Sequence, residues 1–173
     1  MIQPVNSIGQ IAYITEDMDA SLKHWTEALG VGPFFLLNSS EIEDLTYRGE
    51  ATELDITAAL AYNGHMCVEI IQQHDDVPSV YSEIMAKRGP GFHHWGYMTD
   101  RFEEDMTRFQ SMGYPLAFAG EVKVGGKFAY MDSYDALGGM IELIDFPEKV
   151  KQLFEGLQAA AVDWDGSDPV RQT

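Results

Sequence analysis

The stretch GFHHWGYMTD, residues 91–100, sets two histidines side by side at the start of an alternating, β-rich run, with polar helix-start chemistry behind it. Successive strand residues face opposite sides of a sheet, so strict alternation lets only one of His93 and His94 look into any single site. The run has a counterpart near the start of the chain. Shifting the frame by 84 residues lays IGQIAYITED, residues 8–17, on FHHWGYMTDR: Gln10 meets His94, Tyr13 meets Tyr97, Thr15 meets Thr99 and Glu16 meets Asp100.

An amphipathic helix pattern follows each copy. Met18, Leu22, Trp25 and Leu29 recur with helical spacing before Gly30, and Phe102, Met106, Phe109 and Met112 do so before Gly113; such stripes are core-facing surfaces. Short β-rich runs come next, at residues 33–37, 56–62 and 66–71 in the first half and 116–119, 128–131 and 140–145 in the second. The closing runs match as well: GHMCVEII, 64–71, lies beside LGGMIELI, 137–144, and sets Glu69 against Glu142. The pattern predicts an α+β fold of two tandem βαβββ modules, residues 1–74 and 91–146, joined by a linker over 75–90 with a helix at 78–87. A C-terminal helix and tail fill 147–173. Val150, Leu153, Phe154 and Leu157 share one face of that helix, which is expected to cover a sheet edge or a dimer contact, and the aperiodic tail from Asp163 is expected to be loose.

Composition excludes several classes of partner. With 173 residues, 45% apolar and 12% aromatic, the chain can bury one substantial core. Its 11 Lys and Arg against 28 Asp and Glu leave a formal charge of −17, which repels nucleic-acid phosphates and anionic lipid, so neither nucleic acid nor membrane is an expected partner. Cys67 is the single cysteine and has no partner for an intramolecular disulfide. The opening MIQPVNSIGQ has neither a basic leader nor an apolar signal core, and no apolar run approaches the roughly 20 residues of a membrane helix, so a cytoplasmic location is expected.

Period-two geometry turns the repeat into a candidate site. Ile8, Gln10, Ala12 and Ile14 share one face of the first run, and Phe92, His94, Gly96 and Met98 share the matching face of its counterpart. The closing runs add Cys67, Glu69 and Ile71, and Met140, Glu142 and Ile144. Glu69 and Glu142 each interrupt an otherwise apolar run, and a carboxylate buried there has to be paired or bound to a cation. His94 is placed inward because it aligns with Gln10; the reverse choice would put Trp95 in the site and Gly96 in the packing layer. His93 is expected on the other side, bonded to backbone or packed. His24, His65 and His74 read as solvent-facing and Cys67 as a small buried hydrophobe.

The paired modules, the two openings QIAYITEDMDASLKHWTEALGV and HHWGYMTDRFEEDMTRFQSMGY, and the LGGMIELID ending resemble the vicinal oxygen chelate superfamily over roughly residues 8–145. That superfamily includes glyoxalase I, methylmalonyl-CoA epimerase, extradiol dioxygenases, and bleomycin and fosfomycin resistance proteins. The resemblance implies two modules curled into one cupped mixed β-sheet cavity. It also implies a divalent metal (Zn²⁺, Ni²⁺, Co²⁺, Mn²⁺ or Mg²⁺) held by one residue from the first and last strand of each module, here Gln10, Glu69, His94 and Glu142. The Gln/Glu/His/Glu set is similar to one glyoxalase I type, whereas the overall spacing looks closer to the epimerase-like branch.

The activity this resemblance implies is that of a metal-dependent isomerase, epimerase or lyase, lactoylglutathione lyase-like or methylmalonyl-CoA epimerase-like. Such an enzyme moves a proton alpha to a metal-bound carbonyl, with Glu142 as the base, Glu69 as the matching acid or base, and a homodimer as the usual assembly. A metal-free binder of the bleomycin-resistance type is the alternative. An extradiol dioxygenase is the third reading, although Gln10 stands where that site wants histidine. For the small-molecule carbonyl substrate, Arg48, Lys123 and Lys127 lie in loops able to reach the cavity mouth. Phe34, Phe35, Tyr47, Tyr62, Phe118, Phe128 and Tyr130 lie on or near strands, some of which should line it, which favours a bulky apolar compound over a small thioester. The acidic cluster 41–44 reads as a solvated loop, with Glu41 or Glu43 as a candidate second base.

Overall fold

The computed structural model describes residues 2–172. The first half runs β1 (Ser7–Ile14), α1 (Met18–Leu29), β2 (Phe34–Asn38), a single 3-10 turn, the hairpin β3 (Ile42–Tyr47) and β4 (Glu50–Ala51), then β5 (Ile56–Asn63) and β6 (Met66–Gln73). A connecting helix α2 (Val80–Arg88) leads to β7 (Gly91–Thr99), α3 (Phe102–Ser111), β8 (Leu116–Val122), β9 (Gly126–Met131), α4 (Tyr134–Leu137) and β10 (Met140–Asp145); α5 (Glu148–Ala161) and β11 (Val170–Gln172) end the chain. Local chemistry sets the boundaries. Asp17 accepts a hydrogen bond from the Ala20 amide to start α1, and Gly30, left-handed at φ 64°, ends it by returning its own amide to the carbonyls of Thr26 and Trp25. Ser79 and Ser82 form a reciprocal capping box at the start of α2.

All the strands join one mixed sheet in the order β11-β2-β5-β6-β1-β7-β10-β9-β8-β3-β4. Its centre is the antiparallel pair β1–β7, with Gln10 opposite Gly96, Ile11 opposite Trp95 and Ala12 opposite His94. Under the 84-residue shift the outer two pairs exchange and Ile11–Trp95 maps onto itself, so a pseudo-twofold axis passes through that pair. Parallel neighbours repeat the symmetry: Ala12 lies beside Glu69 on β6, and Gly96 beside Glu142 on β10. The α1 stripe, Met18 and Leu22, packs on Val31, Phe34, Val68 and Ile70, each large apolar side chain removed from water contributing about 1.5–3 kcal/mol. No helix among the described residues is long and apolar enough to cross a membrane.

Three features depart from strict alternation and repeat. First, Ile8 pairs with Tyr97 while Gln10 pairs with Gly96, leaving Gly9 as an extra residue in β1. Ile8 is thereby turned off the Gln10 face and is 46% exposed, against expectation. The same break recurs in β7: Ala12 pairs with His94 and Tyr13 with Phe92, leaving His93 over. Phe92 is thus also off the inner face, its ring 4.6 Å from that of Trp95 and 5.9 Å from that of Tyr13.

Second, the expected solvated loop at 41–44 runs into a strand. β3 pairs antiparallel with β8 of the other half, Ile42 opposite Val122 and Tyr47 opposite Phe118, with a bulge between Glu43 and Thr46 where Asp44 takes φ 54°. Glu43 and Asp44 are exposed, whereas Ile42 and Leu45 pack on the core; the bulge broke the alternation that would have announced the strand. Third, the tail expected to be loose is tied down. Val170–Gln172 pairs in parallel with β2, and the Trp164 ring lies so close over Gly32 that an added Cβ would fall 2.5 Å from it. A three-residue strand is too short to show a period.

Candidate metal centre

Four strands aim one polar side chain each at a common point. Gln10 comes from β1, Glu69 from β6, His94 from β7 and Glu142 from β10, and all four are buried. His94 Nε2 lies 3.3 Å from Glu69 Oε2 and 3.1 Å from Glu142 Oε2. Gln10 Nε2 donates to the same two oxygens at 3.0 and 3.2 Å and sits 3.4 Å from His94 Nε2. Glu69, His94 and Glu142 offer ligand atoms all within 4.8 Å of one another. The four contacts that involve a carboxylate all use Oε2, which leaves Oε1 of each carboxylate without a hydrogen bond to another described residue, and both glutamates line the cavity.

The donor set fits a divalent cation on a second ground. Gln10 Oε1 is buried with no hydrogen-bond partner among the described residues. Turning the amide by half a rotation exchanges its nearly isosteric O and N, aiming the oxygen at the point where the imidazole nitrogen and the two carboxylates converge. Gly96 makes room for this: a Cβ there would fall 2.7 Å from Gln10 Cβ.

Electrostatics follow from burial and crowding. Burial lifts the Glu69 carboxyl above its ordinary value and the like charge of Glu142 adds to that, against the hydrogen bond from His94, which lowers it. Burial alone would lower His94, but the charges and hydrogen bonds of Glu142 and Glu69 outweigh it and push His94 up to about 9. The Tyr81 and Tyr130 hydroxyls, 3.1 Å apart, are pushed well up by burial and then by the carboxylates.

The structure moves His93 to the inner side, correcting the expectation from alternation. As the extra residue of the bulge it is fully buried, with Nδ1 2.9 Å from His94 Nδ1 and Nε2 3.2 Å from the Val80 carbonyl of α2. Its ring lies 5.1 Å from Tyr81 and 5.8 Å from Tyr130. The expected bond to backbone is there. Burial first, then the charge of His94, depress its pKa well below the ordinary value. A neutral His93 that donates Nε2–H to Val80 has a bare Nδ1, which accepts the Nδ1–H of His94. This arrangement leaves His94 Nε2 as the nitrogen that faces the carboxylates.

The cavity lined in part by Gln10, Glu69 and Glu142 has a volume of about 340 Å³, and the fully buried His94 is not among its lining residues. Of the aromatics expected there, Phe35, Phe128 and Tyr130 line it. Phe34 packs beneath α1, Tyr62 joins the cluster around Phe154, and Phe118 backs Tyr81 and Tyr130. Tyr47 bonds Glu83. Arg48, expected to reach the mouth, is instead held by both Glu83 oxygens at 2.7 Å and by Asp132 at 3.0 Å. Lys123, Lys127 and Glu41 do reach the rim; Glu43, paired with Glu121 across β3 and β8, is not among the lining residues. Sequence reasoning missed Tyr81, which no repeat equivalence marks. It also assigned the apolar face of α5 to an edge or a dimer contact, whereas Val150, Leu153, Phe154 and Leu157 line this cavity.

Comparison with known proteins gives a consistent picture. A family model described as the Glyoxalase/Bleomycin resistance protein/Dioxygenase superfamily matches residues 9–130. Methylmalonyl-CoA epimerase from Mycobacterium tuberculosis superposes with a TM-score of 0.61 at 17% identity, over 88% of this chain and 97% of that one. A hypothetical protein from Bacillus halodurans does so at 0.58 and 20% identity, over 80% and 93%. A variant of Streptomyces coelicolor methylmalonyl-CoA epimerase in complex with 2-nitronate-propionyl-CoA gives 0.56 at 16% identity, over 84% and 97%. These likenesses show the fold. No curated protein sequence matches the chain.

Proposed function

The chain belongs to the Glyoxalase/Bleomycin resistance protein/Dioxygenase superfamily, and from that premise we propose that it is a metal-dependent enzyme of the isomerase, epimerase or lyase kind. It moves a proton on the carbon next to a carbonyl of a small-molecule substrate. The observation that carries this reading is the convergence of Gln10, Glu69, His94 and Glu142 on one point, together with the orphaned Gln10 oxygen. A divalent cation held by these four residues supplies Lewis-acid stabilisation of the negative charge that develops on the carbonyl oxygen.

The protein's own groups handle the proton. Glu142 takes it through Oε1, the oxygen left over from its bonds to His94 and Gln10, and returns it to the same or a neighbouring carbon. Glu69, related to Glu142 by the pseudo-twofold axis, stands as the matching acid or base on the other side, and burial, which lifts its carboxyl above the ordinary value, favours its taking up a proton. The two carboxylates therefore serve epimerisation and isomerisation alike. Apolar walls keep bulk water from competing for the proton. The test is α-deuterium uptake in D₂O by metal-loaded protein supplied with a panel of α-hydroxycarbonyl, hemithioacetal and acyl-CoA compounds. Uptake by one of them is expected, falling by about 10²–10⁴-fold in Glu142→Gln; undiminished uptake in that variant removes Glu142 as the base.

A further inference from the structure

The wall of the cavity most distant from the duplicated design comes from α5, which lies beyond the residues that the family model matches. It contributes Val150, Leu153, Phe154 and Leu157, which share the lining with aliphatic residues such as Leu60 and Ile71. Within this lining the buried polar groups are few: the Gln10 amide, the Glu69 and Glu142 carboxylates, and the Tyr81–Tyr130 hydroxyl pair, which commits one O–H to its own bond and leaves the other for a ligand oxygen. Such a surface recognises carbon, with a small number of oriented polar contacts.

The rim is not built for an anion. The exposed lining residues that mark it are Glu41, Lys123 and Lys127. Lys127 bonds Glu103 at 3.1 Å and has Glu121 and Asp145 as further charged neighbours. Glu41 and Asp145 share the lining with Lys123, so the two cations are met by at least as many carboxylates. Arg48, whose fork would suit a phosphate or carboxylate, is bound to Glu83 and Asp132. A conjugate carrying phosphates or free carboxylates needs surplus positive charge where its charged arm leaves the cavity, and a chain of net charge −17 opposes its approach.

Resting on the proton-transfer reading above, we propose that the substrate is an uncharged, largely apolar carbonyl compound selected by the α5 wall, rather than a phosphate-bearing or peptide thioester. The test is calorimetric titration of the metal-loaded full chain with α-hydroxyacetophenone and, separately, propionyl-CoA. The ketone is expected to bind with an affinity indifferent to added salt and to the double change Lys123→Ala, Lys127→Ala, and to weaken about tenfold in Leu153→Ser. Leu153→Ala, a milder change at the same half-buried position, should weaken it severalfold and stands in if the serine variant fails to fold. Tighter binding of propionyl-CoA that falls with salt and is lost in the double lysine variant overturns the proposal. So does the absence of ketone binding. Ketone binding in the expected pattern without deuterium exchange supports the substrate class while overturning the proton-transfer reading.

Discussion

The two halves of the sheet share one backbone irregularity and fill it differently. Gly9 in β1 and His93 in β7 occupy equivalent positions, and each is the residue too many in its strand. In the first half the residue is a glycine, and Met98 occupies the space over it so closely that an added Cβ would lie 2.9 Å from Met98 Cγ. In the second half it is a histidine, wedged between Tyr81 and Tyr130 and bonded to its neighbour His94. Duplication placed the four convergent side chains in register. Divergence at the bulge then gave only one half a second imidazole to orient the first.

Removing His94 should have the largest effect. In the metal-free protein it is, among the described residues, the only cation between two buried carboxylates, so His94→Ala is expected to lose about 3–5 kcal/mol of stability in urea unfolding. A loss no greater than that of Gln10→Ala would erase the asymmetry between the halves.

The pH dependence sharpens the same contrast. His94 is held up to about 9 in the fold against 6.5 for an ordinary histidine, so its contribution is full below about pH 6.5 and is lost as pH rises through about 9. Within that window the metal-free protein should lose about 1.4 kcal/mol per pH unit. Glu69, also raised, acts with the same sign. Loading with metal displaces the His94 proton and should abolish the decline, which thermal midpoints across the window will show.

The bulge residues themselves should give the smaller effects. His93→Leu takes the acceptor away from His94 Nδ1–H, and metal affinity is expected to fall by about 10–100-fold while imidazole NMR shifts report a second His94 tautomer. Gly9→Ala pushes on Cγ and Cε of the buried Met98 side chain, which has to shift, and should cost about 1–3 kcal/mol, with metal affinity unchanged. Equal effects on affinity would mean that His93 fills space and orients nothing.

Most of the fold was legible because the duplication wrote it twice: Gln10 against His94 and Glu69 against Glu142 needed only the repeat register and period-two alternation. What escaped was whatever broke the period. The bulges turned Ile8 and Phe92 outward and His93 inward, and nothing in IGQ or FHH marks an extra residue. Strand β3 was hidden by Glu43, Asp44 and its own bulge. Tyr81 and the α5 face reach the cavity only through tertiary packing, which a one-dimensional pattern does not carry: the α5 stripe announced burial but not against what.

The central claim is that four strands deliver one cation site, and it is tested most directly by titrating chelator-stripped protein with Co²⁺ and following the visible absorption of the bound ion. We expect one equivalent taken up per chain, and no such uptake in His94→Ala or in the double variant Glu69→Gln, Glu142→Gln. Uptake that persists unchanged in those variants, or none by the unaltered chain, would contradict it.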